Sequence, residues 1–267
     1  MAQSDWAAGV DIGRPSAARI YDYLLGGSHN FAVDREAAEQ VLAVMPSVRY
    51  MAESNRAFLY RAVRYLCHAG VRQFLDIGSG IPTSGSVHEI AQEIAPDSRV
   101  VYVDIDPIAI AHCTALLRNN DNATAILADA RKPSTVLDDE ATRDLLDFRQ
   151  PVGLLIVSLL HFIPGEDAYQ MVGSLGGVLP GGSYLVLSHA APDPFTGEEG
   201  EALGAIYNRS TTPGGEARNR DEVMRFFEGY DLVEPGLAWA TEWRPDEEPQ
   251  TDPAKLGLLA GVGRKRG

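Results

Sequence analysis

The chain has 267 residues, 23 Lys+Arg against 37 Asp+Glu, and a formal charge of −14. At about 150 residues per domain this is one large domain, or one domain with an extension, and 45% hydrophobic residues give it a real core and exclude wholesale disorder. The acidity argues against nonspecific binding to phosphate backbones, and the longest apolar run, Val152–Leu160 broken by Gly153 and Ser158, is far short of the roughly 20 residues that span a bilayer.

The N-terminus carries Asp5 and no basic cluster ahead of an apolar run, so no signal peptide is expected and the expected compartment is the cytoplasm. Ser16–Leu25 reads as a short helix stopped by Gly26-Gly27. Asp34 is placed to cap the next helix, Arg35–Val44, which Pro46 terminates. A longer helix over Ser47–Ala69 carries an apolar stripe of Val48, Met51, Leu59, Ala62, Val63 and Leu66. Asn55 falls on that stripe, where a polar side chain must find a partner.

From Val71 onward, short β-rich runs alternate with helix-length segments. Strands are expected at Val71–Ile77, Arg99–Ile105, Thr124–Asp129, Val152–Ser158 and Ser183–Ser188. Helices are expected near Ser84–Ala95, Pro107–Asn119, Ser134–Phe148 and Glu166–Leu179. This alternation marks a parallel sheet covered by helices. Ala190–Asn219 follows the fifth strand, is rich in Pro and Gly, and reads as a lid or a disordered connection. Asn219-x-x-Glu222 then resembles a capping box opening a helix over Asp221–Glu228. Two later runs, Tyr230–Thr241 and Leu256–Arg264, have only the turn-rich Glu242–Lys255 between them. That gap holds a hairpin but no crossover helix, so the last strand should run antiparallel. The expected fold is α/β: a doubly wound seven-stranded sheet in a domain over 47–267, preceded by a helical extension over 1–46 that serves as a lid.

The strongest chemical signal is Phe74-Leu75-Asp76-Ile77-Gly78-Ser79-Gly80, an apolar strand ending in a carboxylate and a glycine turn. Glycines let the backbone turn tightly and approach a ligand with no side chain in the way. The dinucleotide pattern G-x-G-x-x-G fails at Thr83, and no phosphate loop of the G-x-x-x-x-G-K-[ST] type occurs. Asp76 is an awkward neighbour for a pyrophosphate and suits a ligand carrying an amine and a sulfonium. Val100-Val101-Tyr102-Val103 ends in Asp104, where a carboxylate can accept both hydroxyls of a ribose, and a third acid, Asp129, ends the next strand. Three successive parallel strands ending in Asp line up carboxylates along the edge where such sheets bind ligands. Asp106 before Pro107 is read instead as a helix N-cap.

On these residues the chain resembles the class I S-adenosylmethionine-dependent methyltransferases, which have a Rossmann-like fold. Leu75–Gly80 is similar to their glycine-rich first motif, Val103-Asp104 to their ribose-binding acid, and Ala128-Asp129 to their adenine-contacting motif. Pro180–Val186 resembles the turn and strand after their fourth helix. The common first motif has a third Gly where this chain has Pro82. Arg14–Gly27, Asn30–Arg35, Asn55–Phe58 and Phe226–Gly236 look like a poorly characterised methyltransferase-like family with an N-terminal helical extension. The resemblance implies that S-adenosylmethionine is held by Asp76, Gly78, Gly80, Asp104, Asp129, Ala130, Asn55 and Ser158.

Methyl transfer from a sulfonium is an in-line displacement in which the enzyme mainly aligns donor and nucleophile. A general base is needed only for a protonated acceptor. His189, past the fifth strand, and His161, past the fourth, are the catalytic candidates, with His29 and Asp34 as further bases. The insert 190–219 and the N-terminal helices should roof a small-molecule acceptor, with Tyr21, Tyr23, His29, Phe31 and Tyr207 on the substrate side. No metal is expected, since the six histidines show no ligand spacing. Cys67 and Cys113 are too few for a disulfide scaffold, and Arg264-Lys265-Arg266 reads as a solvated tail, so neither nucleic acid nor membrane is expected as a partner. Two other readings stand beside methyl transfer. One is a noncatalytic protein that binds the donor for regulation. The other is a nucleotide-dependent oxidoreductase, against which the missing third glycine argues.

Overall fold

Among the described residues three helices precede the first strand: α1 (Ala17–Leu24), α2 (Ala32–Val44) and α3 (Val48–His68). In the computed structural model, which describes residues 11–82, 85–192, 197–212, 215–247 and 256–267, five β/α units follow. They comprise β1 (Gln73–Ile77), α4 (Val87–Ile94), β2 (Arg99–Asp104), α5 (Pro107–Leu116), β3 (Ala123–Leu127), α6 (Ser134–Leu137), α7 (Glu140–Leu145), β4 (Gly153–Val157), α8 (Asp167–Gly177) and β5 (Tyr184–Ala190). The chain ends with α9 (Gly197–Tyr207), α10 (Arg220–Arg225), β6 (Tyr230–Leu232), β7 (Ala238–Trp239) and β8 (Leu258–Lys265). Thr83, where the glycine pattern fails, Ser84, the expected start of the next helix, positions 193–196 and 213–214 of the insert, and positions 248–255 before the last strand lie outside the described residues.

The sheet runs β3-β2-β1-β4-β5-β8-β6, with β7 also on β8. β1 to β5 pair in parallel, and β8 is antiparallel to β5 from Tyr184↔Arg264 to Ala190↔Leu258. Every residue of β1 is buried, as expected for a strand covered on both faces. Alternation sends Leu75 and Ile77 to one layer, with Leu154, Leu185, Met171 and Phe226, and Phe74 to the other, with Phe58, Leu66, Val100 and Val186. The order reverses between β1 and β4, which opens a crevice beyond their carboxyl ends, where ligands bind in sheets of this kind.

The structure departs from the expected elements in four places. The strand expected over Tyr230–Thr241 is split, because residues 233–237 stand against only 261–262 of β8 and bulge out of the ladder. The helix expected over Ser134–Phe148 breaks in two, because the Asp139 carboxylate accepts the Thr142 N–H and starts α7. Asp34 is not an N-cap. It sits inside α2, fully buried, and its carboxylate reaches back to the Phe31 N–H at 2.8 Å. The insert carries a helix, α9, whose Leu203 and Ile206 pack with Ile20, Leu24, Ala38 and Val41 of α1 and α2 in a small core of their own.

Candidate functional site

The crevice opens into a cavity of about 740 Å³. Its floor is the turn after β1, fixed by Gly78 and Ser79 N–H groups that donate to the Val103 carbonyl at 2.8 and 3.1 Å. Gly78 has a φ of +69°, which favours glycine, and a Cβ there would lie 2.8 Å from the Leu159 side chain, which would have to shift to admit it. Gly80 also has a positive φ, +65°, but a Cβ on it would meet open space. The Gly80 N–H donates to Asp104 Oδ2 at 2.8 Å, and the Asp106 N–H donates to Asp104 Oδ1 at 2.8 Å. Each Asp104 oxygen keeps a lone pair for a ligand, since an ionised carboxylate offers about four acceptor sites. Burial pushes the Asp104 carboxyl up to about 6, against the pull of its backbone N–H donors. Burial likewise pushes Asp76 up to about 7, opposed by Arg56 and reinforced by Asp104.

The expected donor residues converge: Asn55, Asp76, Gly78, Gly80, Asp104, Asp129, Ala130 and Ser158 all line this cavity. Asn55 finds the partners its place on the apolar stripe demands. Its amide donates to the Tyr21 hydroxyl at 2.9 Å, and its carbonyl accepts from Ser188 Oγ at 2.7 Å. Ser188 Oγ accepts in turn from the Ser158 N–H at 2.9 Å, and the Tyr21 hydroxyl donates to the Ala52 carbonyl at 3.0 Å. This chain of bonds ties α1, α3 and β5 to Ser158, which holds an unusual φ of +52° just past β4. Burial raises the Tyr21 phenol above its ordinary value. β3 ends at Leu127, so Asp129 lies two residues past the strand, paired at 2.8 Å with Arg131, whose hydrogen bonds hold its carboxyl below the usual range.

Local signals did not reveal the group that anchors the extension. Asp106 does cap α5, accepting the Ile108 N–H at 2.8 Å, but it also lines the cavity and binds α1. Ser16 Oγ donates to Asp106 Oδ2, and the buried Arg19 guanidinium lies between Asp106 and Asp34. Arg19 also donates to the Arg14 carbonyl at 2.7 Å. Nearby, Gly27 is held to glycine because a Cβ would fall 2.0 Å from the Asp22 carboxylate. That carboxylate accepts the His29 N–H and the Asn30 amide, which fixes the turn after α1.

The two catalytic candidates have different environments. β5 continues to Ala190, so His189 lies within the strand and not past it, and it is fully buried. Its Nδ1 meets the Ala190 carbonyl at 2.8 Å and its Nε2 meets Arg218 at 3.0 Å. Burial lowers it to about 4, and it is absent from the cavity wall, so it cannot touch a ligand there. His161 does line the cavity, beside Phe162 at 4.3 Å between ring centroids, and burial lowers it to about 3. It is therefore a neutral imidazole at ordinary pH.

Of the substrate-side residues, Tyr21 and Tyr207 reach the cavity, while Tyr23, His29 and Phe31 do not. Tyr23 bonds Glu39 at the surface, His29 is exposed against His112, and Phe31 packs on Ile81, Ile108 and Ala109. α1 turns only one face inward, and the segment after Gly27 runs along the outside of α5. Asp34 is committed to Arg19, Ser16 and Phe31 and is not free to act as a base. Among the described residues no cluster of metal-ligating side chains occurs, and no helix is long and apolar enough to cross a membrane.

Residues 3–266 match the family model described as S-adenosyl methyltransferase. A candidate methyltransferase from Thermobifida fusca YX is 37% identical with a TM-score of 0.91, over 99% of this chain and 100% of that one. A DUF574 family protein from Streptomyces avermitilis MA-4680 is 38% identical with a TM-score of 0.90, over 96% of this chain and 99% of that one. An O-methyltransferase family protein from Burkholderia thailandensis shares the fold alone, at 12% identity and a TM-score of 0.51, over 88% of this chain and 61% of that one. No curated protein matches the chain.

Proposed function

The chain belongs to the S-adenosyl methyltransferase family, and from that premise we propose that it methylates a small molecule, with the donor at the carboxyl ends of β1, β2 and β3 beside Ser158 and the acceptor between the N-terminal helices and α9. The observation that carries this reading is that all eight expected donor residues line one cavity of about 740 Å³.

The residues present fit the donor. Asp76 and Asp104 are buried carboxylates whose pKa values are raised chiefly by the loss of water around them, so a cation placed beside them would favour their ionised forms. A ligand with a cationic amine and a sulfonium supplies that charge. Asp104 retains lone pairs for ribose hydroxyls, and the open face of Gly80 lets a ligand approach the backbone. Asp129 and Ala130 line the cavity beyond β3, where an adenine would lie. When bound, S-adenosylmethionine supplies a methyl group already activated on sulfur and open to in-line displacement. The protein's own work is then alignment and exclusion of water, and proximity of this kind lowers a barrier by about 7–11 kcal/mol. Asn55, Tyr21 and Ser158 hold the wall facing the reacting centre through their bonded chain. His161, neutral and on that wall, can accept a hydrogen bond from an acceptor hydroxyl or amine. His189 positions Arg218 and His161 from behind.

Calorimetry with S-adenosylhomocysteine tests the donor site. Asp104→Ala should weaken binding by roughly 1.5–3 kcal/mol, the range for hydrogen bonds to a charged group. Unchanged affinity in a folded variant refutes the assignment. Incubation with labelled S-adenosylmethionine and a metabolite extract then separates enzyme from donor-binding protein, because only an enzyme moves the label.

A further inference from the structure

The cavity extends well past the donor residues, into the small core between α1, α2, α3 and α9. Leu24, Val41, Met45, Val48 and Met51 line it on one side and α9 on the other. The α9 residues that reach it are Gly200, Leu203, Gly204 and Tyr207, spaced i, i+3, i+4 and i+7 along one helical face. Two of these four are glycines in a helix, where glycine is the least favourable residue after proline. A Cβ on Gly204 would meet nothing within 4 Å. The glycines therefore leave room in the cavity at the expense of the helix.

Charge is confined to the other end. The lining from α2, α9 and residues 48–52 of α3 has no charged side chain. Among the described residues three guanidiniums line the cavity, all away from this end: Arg19 is paired with Asp34 and Asp106, Arg131 with Asp129, and Arg56 donates to the Gly85 carbonyl on the Asp76 side. Six carboxylates line it too, among them Glu216, whose Oε2 is taken by the Gly165 N–H and Arg218. An anionic acceptor would find no cation on this end among the described residues. Burying such a charge unpaired is costly, whereas an apolar body is welcome in a pocket of this size.

We propose that this end is the acceptor site, that it takes an uncharged, predominantly apolar molecule of aromatic-ring dimensions, and that the glycine face of α9 sets the size limit. This rests on the methyltransferase reading above and names the substrate class for it. The two methionines on the opposite wall are flexible side chains that fit around varied ring shapes.

The test uses two probes with one aromatic scaffold, neutral N-phenyl-1-naphthylamine and anionic 1-anilinonaphthalene-8-sulfonate, titrated by fluorescence into the full chain with S-adenosylhomocysteine present. The neutral probe should bind the wild type, and the sulfonate should bind about tenfold more weakly or worse. Gly204→Phe should weaken the neutral probe about tenfold or more by filling the space beside α9, with S-adenosylhomocysteine affinity measured by calorimetry unchanged. Where Gly204→Phe loses its helical circular dichroism, Gly204→Leu carries the same test. The proposal is overturned if the neutral probe fails to bind wild type that binds S-adenosylhomocysteine. It is equally overturned if the sulfonate binds as tightly, or if folded Gly204 variants bind the neutral probe like wild type. Failure of S-adenosylhomocysteine to bind the wild type overturns the donor reading instead, and the acceptor assignment with it.

Discussion

Arg19 and Asp106 stand 87 residues apart in the chain and 3.4 Å apart in space, with neither side chain more than 8% exposed. The same guanidinium lies 2.9 Å from Asp34, so one cation on α1 joins the N-cap of α5 to the interior of α2. Asp106 is two residues past Asp104, whose carboxylate accepts its N–H. The helical extension is thus bonded to the rim of the candidate donor site, and displacing it disturbs that rim directly.

Removing one member of a buried ion group leaves the others uncompensated, at a cost of about 3–5 kcal/mol. Arg19→Met should lose stability of that order in urea unfolding, because two buried carboxylates are left facing each other. Restoring part of the loss by adding Asp34→Asn would confirm that charge, and not packing, is the cause. A loss below about 1 kcal/mol, the range of an exposed pair, would show that water replaces the guanidinium.

Gly78 lies in the turn after β1, where an added Cβ would fall 2.8 Å from the Leu159 side chain. Gly78→Val should abolish S-adenosylhomocysteine binding while leaving most secondary structure intact. It combines a left-handed backbone, costly for any β-branched residue, with a contact of 2.8 Å. Gly80→Ala meets no such contact and should bind measurably, at a cost of about 1–2 kcal/mol for its φ. Equal loss in both variants, followed by calorimetry, would remove Leu159 from the explanation.

Protonation should oppose donor binding. Burial holds Asp76 at about 7 and Asp104 at about 6, above the ordinary value of 3.8. A cationic ligand favours their ionised forms, so S-adenosylmethionine affinity should fall as pH drops through this window, by roughly tenfold per unit for each proton taken up. The same shifts make the free protein lose stability as pH rises from about 4 to about 7, since the unfolded carboxyls ionise first. His189 and His161, lowered to about 4 and about 3, act in the opposite sense: their contribution is present above 6.5 and lost as pH falls toward those values. Ligand affinity followed by calorimetry at pH 5.5 to 8 isolates the carboxylates, and Asp76→Asn should flatten the upper part of the profile. A flat profile in the wild type would mean that neither acid meets the ligand's charge.

The residues expected at the candidate donor end converge on one cavity because their signals are local. A carboxylate and two glycines closing an apolar strand have few other uses, and Asp104 follows at the next strand's tip. What escaped depends on partners far away in sequence. Nothing near Arg19 announces Asp106 or Asp34, and Asp34 resembles a helix cap to anyone counting residues from Arg35. His189 was misplaced because the length of β5 is set by its pairing with β8, which carries the ladder two residues past Ser188. α9 carries no helical signal because its glycines speak against helix, and it is held by the burial of Leu203 and Ile206 against α2 rather than by propensity.

β8 lies between β5 and the split pair β6 and β7, yet it is synthesised after all three. On the ribosome the sheet therefore grows with a gap, and β5 presents seven unpaired positions, Tyr184–Ala190, until the last strand slides in. Exposed strand edges of this length invite pairing with other chains, and contacts that close late over long separations slow the search for the native state. Until Leu258–Lys265 docks, β6 and β7 have no ladder in the sheet, so the nascent protein must pass through a half-open form. Between the emergence of β5 and that of β8, the Tyr184–Ala190 edge is open to pairing with other chains.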